Sequence, residues 1–152
     1  MRRKTMGERN RMHLCLPAIS VNEGVARAAV AAFCAQQNPS ATELADIKCA
    51  VSEAVTNCIV HAYACGTGAI YITVVLYENG LIRVVVKDKG CGIADLHRAR
   101  EPLFTTDAQN ERSGMGFTVM ENFMDRLSVY SRPGKGTVVV MTKRIGATVP
   151  KE

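Results

Sequence analysis

A chain of 152 residues has room for one domain with a substantial core and is short for two. Hydrophobic residues make up 47% and charged residues 22%, which excludes a disordered chain; with no Trp and 5% aromatics, the core must come from Val, Ile, Leu, Ala and Met. Lys and Arg outnumber Asp and Glu by 19 to 14, and the excess of +5 suits an acidic partner (nucleotide, nucleic acid or acidic protein) without choosing among them.

Arg2, Arg3, Lys4, Arg9 and Arg11 crowd residues 1–11, which read as a solvated basic tail. Residues 12–19 alternate as a first strand. Ser20-Val21-Asn22-Glu23 has the form of a capping box and opens an Ala-rich helix to about Gln37, ended by Asn38-Pro39. Ser40-Ala41-Thr42-Glu43 is a second capping box. The helix behind it runs to about Tyr63, with Leu44, Ile47, Val51, Ala54, Cys58 and Ala62 as its core stripe. Cys65-Gly66-Thr67-Gly68 breaks that helix. Residues 69–77 and 81–87 are Val/Ile-rich strands around Glu78-Asn79-Gly80, a strong hairpin signal.

Residues 88–113 show little periodicity apart from a short helix at 95–100, and a connection of that length usually serves as a lid or binding loop. A helix at 116–125 follows, then a closing hairpin of strands 127–131 and 137–143 around Arg132-Pro133-Gly134-Lys135-Gly136. Strands joined by hairpins, with helices gathered elsewhere, give an α+β two-layer sandwich. One domain spans 12–144, and 145–152 is a short C-terminal extension.

The six cysteines, at 15, 34, 49, 58, 65 and 91, include no C-x-x-C pair, and no apolar signal segment precedes them. They read as reduced thiols of a cytoplasmic protein. The longest apolar run, 69–76, is far short of the roughly 20 residues a membrane span needs.

On the second helix Glu53, Asn57 and His61 stand four residues apart, within roughly 80° of arc, as a polar stripe opposite the apolar one. His61 is about 12 Å along the axis from Glu53, too far to share zinc. Glu53 and Asn57, about 6 Å apart along it, can serve one hard cation with its waters and a phosphate; Mg²⁺ favours such oxygen ligands. Three glycine clusters follow: Asp88-Lys89-Gly90-Cys91-Gly92 off a strand, Ser113-Gly114-Met115-Gly116 before a helix, and Gly134-Lys135-Gly136-Thr137 in the last hairpin. Glycine permits close backbone approach, and amides at a helix N-terminus attract phosphate. There is no P-loop, no G-x-G-x-x-G, and no H-R-D with D-F-G.

Taken in order, E-x-x-x-N-x-x-x-H, D-x-G-x-G, G-x-G and G-T resemble the boxes of the ATPase superfamily that joins gyrase and the histidine kinases. EAVTNCIVHAY, EPLFTT and ERSGMGFTVMENFMD are similar to the anti-sigma F factors of spore-forming bacteria, and the resemblance covers residues 12–143. It implies a histidine-kinase-type ATPase fold, with a mixed, mostly antiparallel sheet and helices on one face. It further implies a homodimeric serine kinase that uses Mg-ATP, leaves ADP, inhibits a sporulation sigma factor of the sigma F type and phosphorylates the anti-anti-sigma antagonist. Neither nucleic acid nor membrane is a direct partner in that reading.

By the same resemblance Glu53 is the general base and Asn57 the Mg²⁺ ligand, with His61 completing their box. Asp88 accepts the adenine amino group, and Gly90 and Gly92 turn the chain beneath the base. Thr105, Thr106, Arg112, Ser113, Gly114, Met115 and Gly116 belong to the lid and phosphate side, and Thr137 lies near the adenine. Glu23 and Arg27 match the surface that meets sigma factor and antagonist. The chain departs from the family at Ala62, Lys89, Cys91 and the 65–68 loop, none of which removes a reacting atom. The rival readings are a stress-response anti-sigma kinase and a binding module switched by ATP; the presence of Glu53 favours a kinase, because a binding module needs no base.

Overall fold

The computed structural model describes residues 7–63, 66–95 and 116–146. In chain order the elements are β1 (Glu8–Pro17), α1 (Val21–Cys34), α2 (Ala41–Asn57), β2 (Ala69–Tyr77), β3 (Leu81–Asp88), α3 (Gly116–Phe123), β4 (Arg126–Arg132) and β5 (Gly136–Arg144). A 3₁₀ turn, Ala35–Gln37, closes α1, and a π turn, Cys58–Ala62, continues α2. The strands form one sheet in the order β1-β2-β3-β5-β4. All four pairings among the described residues are antiparallel, so the expected mixed sheet is here a purely antiparallel one.

The core lies between one face of this sheet and the helices. Ile70, Ile72, Val74 and Leu76 of β2, Ile82, Val84 and Val86 of β3, and Val139 and Met141 of β5 point into it. Against them pack Ala26, Val30 and Cys34 of α1, Ile47, Val51 and Ala54 of α2, and Phe117 and Met120 of α3. Burying each larger aliphatic side chain is worth about 1.5–3 kcal/mol, so this layer carries most of the stability. α2 packs against both α1 and α3, which makes it the central helix and fixes the height of its polar stripe above the sheet.

The two capping boxes differ. Ser40 and Glu43 form theirs in full: Glu43 N–H donates to Ser40 Oγ at 3.1 Å, and Ser40 N–H donates to Glu43 Oε1 at 2.9 Å. Ser20 makes no side-chain cap and already has helical torsions. The carboxylate expected to close that box, Glu23, is instead engaged by Arg27 and Ser52, and Asn22 Nδ2 ties the helix start to Pro17 O at 2.9 Å.

β1 begins at Glu8 rather than Met12, so residues 8–11 of the expected tail belong to the sheet. Nine residues of β2 offer pairing sites, and β1 fills them down to Glu8 opposite Tyr77. Arg11 is held there by Glu8 at 2.7 and 2.8 Å, and Arg9 by Gln37 at 3.0 Å. At the other end Ile145 packs against the core and Gly146 N–H donates to Glu43 Oε2 at 3.1 Å, so the body of the domain reaches past residue 144. α1 with its 3₁₀ turn ends at Asn38, whose φ of 52° is left-handed, and the β2–β3 hairpin turns on residues 78–80 with Gly80 at φ 84°. Most of the short helix expected at 95–100 falls outside the described residues. Among the described residues no helix is long and apolar enough to cross a membrane.

Candidate functional site

The polar stripe of α2 survives folding as a half-buried ledge. Glu53 and Asn57 lie on it, between the buried Ala54 and Cys58. The start of α3 closes over them: a Cβ placed on Gly116 would lie 3.3 Å from Glu53 Oε2 and 3.4 Å from both Asn57 Oδ1 and Asn57 Nδ2. Three residues read separately from the sequence therefore meet at one point. Two oxygen donors face a space that exists because residue 116 has no side chain, a cradle whose donor chemistry fits a hard cation such as Mg²⁺. Asn57 is the last residue of the regular helix, and His61 sits four residues on within the π turn. Single π turns inside α-helices often mark functional sites.

The π turn also leads into the second part of the site. The Ala62 carbonyl accepts Cys91 N–H at 2.9 Å, and any Cβ on Gly90 would collide with that same carbonyl. Gly92 has φ 73° and lies so close to Arg132 O that no other residue fits. These glycines thread the strand β3 exit between the end of the α2 helix and the β4–β5 turn.

Asp88, the last residue of β3, is 5% exposed and points into the protein. Its Oδ1 accepts Gly90 N–H at 2.9 Å and Thr137 N–H at 3.2 Å, and the Cys58 thiol donates to Oδ2 at 3.7 Å. Burial pushes its carboxyl above the ordinary aspartate range, and these donors pull it partly back. Burial likewise pushes the Cys58 thiol up. Lys89, which the sequence sets beside this carboxylate, turns away, with its ammonium 4.9 Å from the centre of the Tyr71 ring.

Thr137 stands opposite Asp88 in the β3–β5 register, which brings the last sequence box onto the second. Its hydroxyl is 2.8 Å from Ser131 Oγ. Ser131 was not legible as a site residue; its Oγ accepts Ile93 N–H at 2.7 Å and pins the chain leaving Gly92 to β4. Tyr63 was also missed. Its hydroxyl accepts Lys89 N–H at 2.7 Å and donates to Ala69 O at 2.8 Å, joining the end of the helix to two strands. Its place directly after the H-A of the first box was the available signal.

Glu23 and Arg27 lie apart from these groups, on α1. Arg27 Nη1 is 3.1 Å from Glu23 Oε1, and the Ser52 hydroxyl donates to the same oxygen. Arg27, Ala45, Lys48, Cys49 and Ser52 line a groove of about 350 Å³ between the two helices. Ser52 precedes Glu53, so the α1 pair touches the helix that carries the ledge. Thr105, Thr106, Arg112, Ser113, Gly114 and Met115 lie outside the described residues.

The histidine kinase-like ATPase domain model matches residues 17–143. An anti-sigma F factor of Geobacillus sp. (strain WCH70) is 54% identical over 138 residues, covering 90% of this chain and 94% of the relative. Another, from Caldanaerobacter subterraneus subsp. tengcongensis, is 56% identical over 137 residues, covering 90% and 95%. The chain belongs to the anti-sigma F factor family, within the histidine kinase-like ATPases.

Solved structures agree on the fold alone. The RsbU and RsbW domains of a Mycobacterium tuberculosis protein align with a TM-score of 0.67 at 22% identity, over 90% of this chain and 33% of that one. The histidine kinase domain of a blue-light activated histidine kinase from Erythrobacter litoralis EL346 aligns at 0.55 and 20%, over 81% and 61%. Membership in this ATPase family assigns ATP binding to the domain, and Glu53, Asn57, Gly116, Asp88, Gly90, Gly92 and Thr137 are where its described residues gather polar groups and tight glycines.

Proposed function

We propose that this chain is an anti-sigma factor and serine-protein kinase. It would bind and inhibit a sporulation sigma factor of the sigma F type and phosphorylate the anti-anti-sigma antagonist on serine with Mg-ATP, as a cytoplasmic homodimer. The kinase half of this reading is carried by the meeting of Gly116 with Glu53 and Asn57; the anti-sigma half is supported by relatives that are themselves anti-sigma F factors over most of their length.

Glu53 takes the proton of the substrate serine hydroxyl as that oxygen attacks the γ-phosphorus in line; the bond to ADP breaks and phosphoserine is released. Asn57 Oδ1 would hold Mg²⁺, which when bound offsets phosphate charge. Asp88 keeps a carboxylate oxygen for the adenine amino group, and its other oxygen is fixed by Gly90 and Thr137. His61, Thr105, Thr106, Arg112, Ser113, Gly114 and Met115 complete the nucleotide side of this reading. Glu23 and Arg27 form the partner contact, with the Arg27 guanidinium held toward the groove by Glu23.

Incubation with γ-labelled ATP, Mg²⁺ and a purified anti-anti-sigma protein, followed by phosphosite mapping, tests the proposal. Label on one serine of the antagonist supports it. Label retained as ATP, or released only as phosphate, overturns the kinase assignment.

A further inference from the structure

The acceptor carboxylate of the site is held asymmetrically. Asp88 Oδ1 receives two backbone N–H donors, from Gly90 at 2.9 Å and Thr137 at 3.2 Å. Oδ2 receives one side-chain donor, the Cys58 thiol, at 3.7 Å. Cys58 is 3% exposed and follows Asn57 directly, so the turn of helix that presents Asn57 also aims the thiol at Asp88. At neutral pH an ordinary thiol is protonated and is a donor.

The backbone donors fix one oxygen, but a carboxylate gripped at a single oxygen can still turn about its Cβ–Cγ bond. A donor on Oδ2 stops that rotation. A thiol does so with little demand on the oxygen, because S–H is a weak donor, and Oδ2 keeps accepting capacity for a second, stronger donor. A hydroxyl would hold the same plane more firmly, and an alanine would leave it free.

We infer that Cys58 is a positioning residue for base recognition: its S–H sets the plane of the Asp88 carboxylate so that Oδ2 meets the exocyclic amino group of a 6-aminopurine nucleotide. The inference rests on the reading above that Asp88 accepts this amino group. It makes Cys58 a determinant of which purine is preferred, beyond its place in the core stripe of α2.

The test is equilibrium titration of the full chain with ATP and with purine riboside triphosphate, which lacks the amino group, at fixed Mg²⁺. Wild type, Cys58→Ala, Cys58→Ser and Cys58→Val are compared, the last filling the cavity without supplying a donor. The ratio of the two affinities should fall roughly two- to tenfold in the alanine and valine variants, the range of one hydrogen bond. Serine should restore the ratio to within about twofold of wild type. An unchanged ratio in both donor-free variants, with both nucleotides weakened alike, overturns the inference and leaves Cys58 as packing alone. Failure of serine to restore the ratio overturns it as well. A wild type that does not prefer ATP over the analogue overturns the Asp88 assignment itself, which separates that failure from the failure of Cys58.

Discussion

Gly116 stands against Glu53: a Cβ on the glycine would lie 3.3 Å from the Glu53 Oε2 atom, although 63 positions separate the two in the chain. The start of α3 thus bounds the space in front of the carboxylate that is proposed to take the serine proton. Replacing Glu53 by Gln keeps the shape of this wall and removes the base. Phosphorylation of the antagonist should fall ~10²- to 10⁴-fold while nucleotide and sigma binding persist. Single-turnover transfer followed with labelled ATP measures it, and an undiminished rate would falsify the role of Glu53.

Gly116→Ala tests the wall itself. Its methyl would press on Glu53 Oε2 and both Asn57 amide atoms at 3.3–3.4 Å, tighter than comfortable packing, so one of the two must shift. A shift of a few tenths of an ångström in a base or ligand costs transfer rate more than binding; a fall of roughly tenfold in rate with ATP affinity kept within about threefold is expected. Equal losses in both would place Gly116 in nucleotide binding alone.

Asn57→Ala and Asp88→Ala should separate metal from base. The first should weaken ATP far more with Mg²⁺ than with EDTA; the second should weaken ATP and ADP alike and let GTP compete better. Asp88 also sets a pH dependence. Burial raises its carboxyl above the ordinary value, so protonation on acidification begins at a higher pH than for an exposed aspartate, and ADP affinity should fall there first. Titrations with ADP across the acid range measure this, and Asp88→Ala should flatten the dependence. A flat profile in the wild type removes Asp88 as acceptor.

Arg27→Glu should release sigma factor and antagonist while ATP affinity stays within a few-fold. The guanidinium sits on Glu23 at the rim of the α1–α2 groove, away from Asp88 and its donors. Reversing its charge sets two carboxylates side by side and repels an acidic partner, a cost of several kcal/mol at a desolvated contact. Pull-down with each partner and calorimetry with ATP separate the effects; intact partner binding by a folded variant excludes Arg27 from the interface.

Glu43→Ala should lower stability by roughly 1 kcal/mol at pH 7, since it opens the one complete capping box and frees Gly146. The Ser40 backbone N–H foremost holds the Glu43 carboxyl below its ordinary 4.5. A carboxyl lowered by folding adds stability that is complete above the unfolded value and is lost as pH falls through the folded one. Denaturant melts of wild type and Glu43→Gln should therefore converge below about pH 4.5. Melts that keep a constant gap at all pH values would show that the charge is irrelevant.

What the sequence disclosed follows from the range of each interaction. The Ser40 box was legible because both of its hydrogen bonds lie within four residues. The Ser20 box misled because Glu23 answers to Ser52, 29 positions away, which no local pattern records. The start of β1 was hidden for the same reason: Arg9 and Arg11 look like a tail until Gln37 and β2 are placed beside them. Glu53 and Asn57 were legible from helical spacing and Asp88 from its flanking glycines. Cys58 was read only as core, since the stripe that buries it is also the spacing that aims it at Asp88. Ser131 and Tyr63 act through contacts made only once the strands are in register.

The π turn at residues 58–62 carries one more consequence, for which changes of chain length the fold tolerates. A π turn holds one residue more than the α-helical turn it replaces. Deleting a single residue there would return the segment to α-helical phase and swing everything after it by about 100°. The Ala62 carbonyl would leave Cys91, and the Tyr63 hydroxyl would leave Lys89 and Ala69, so both ties between helix and strands would go at once. Substitutions in this stretch change a contact, but an insertion or deletion changes the phase. Natural variation between Asn57 and Tyr63 should therefore alter which residues are present and leave their number fixed.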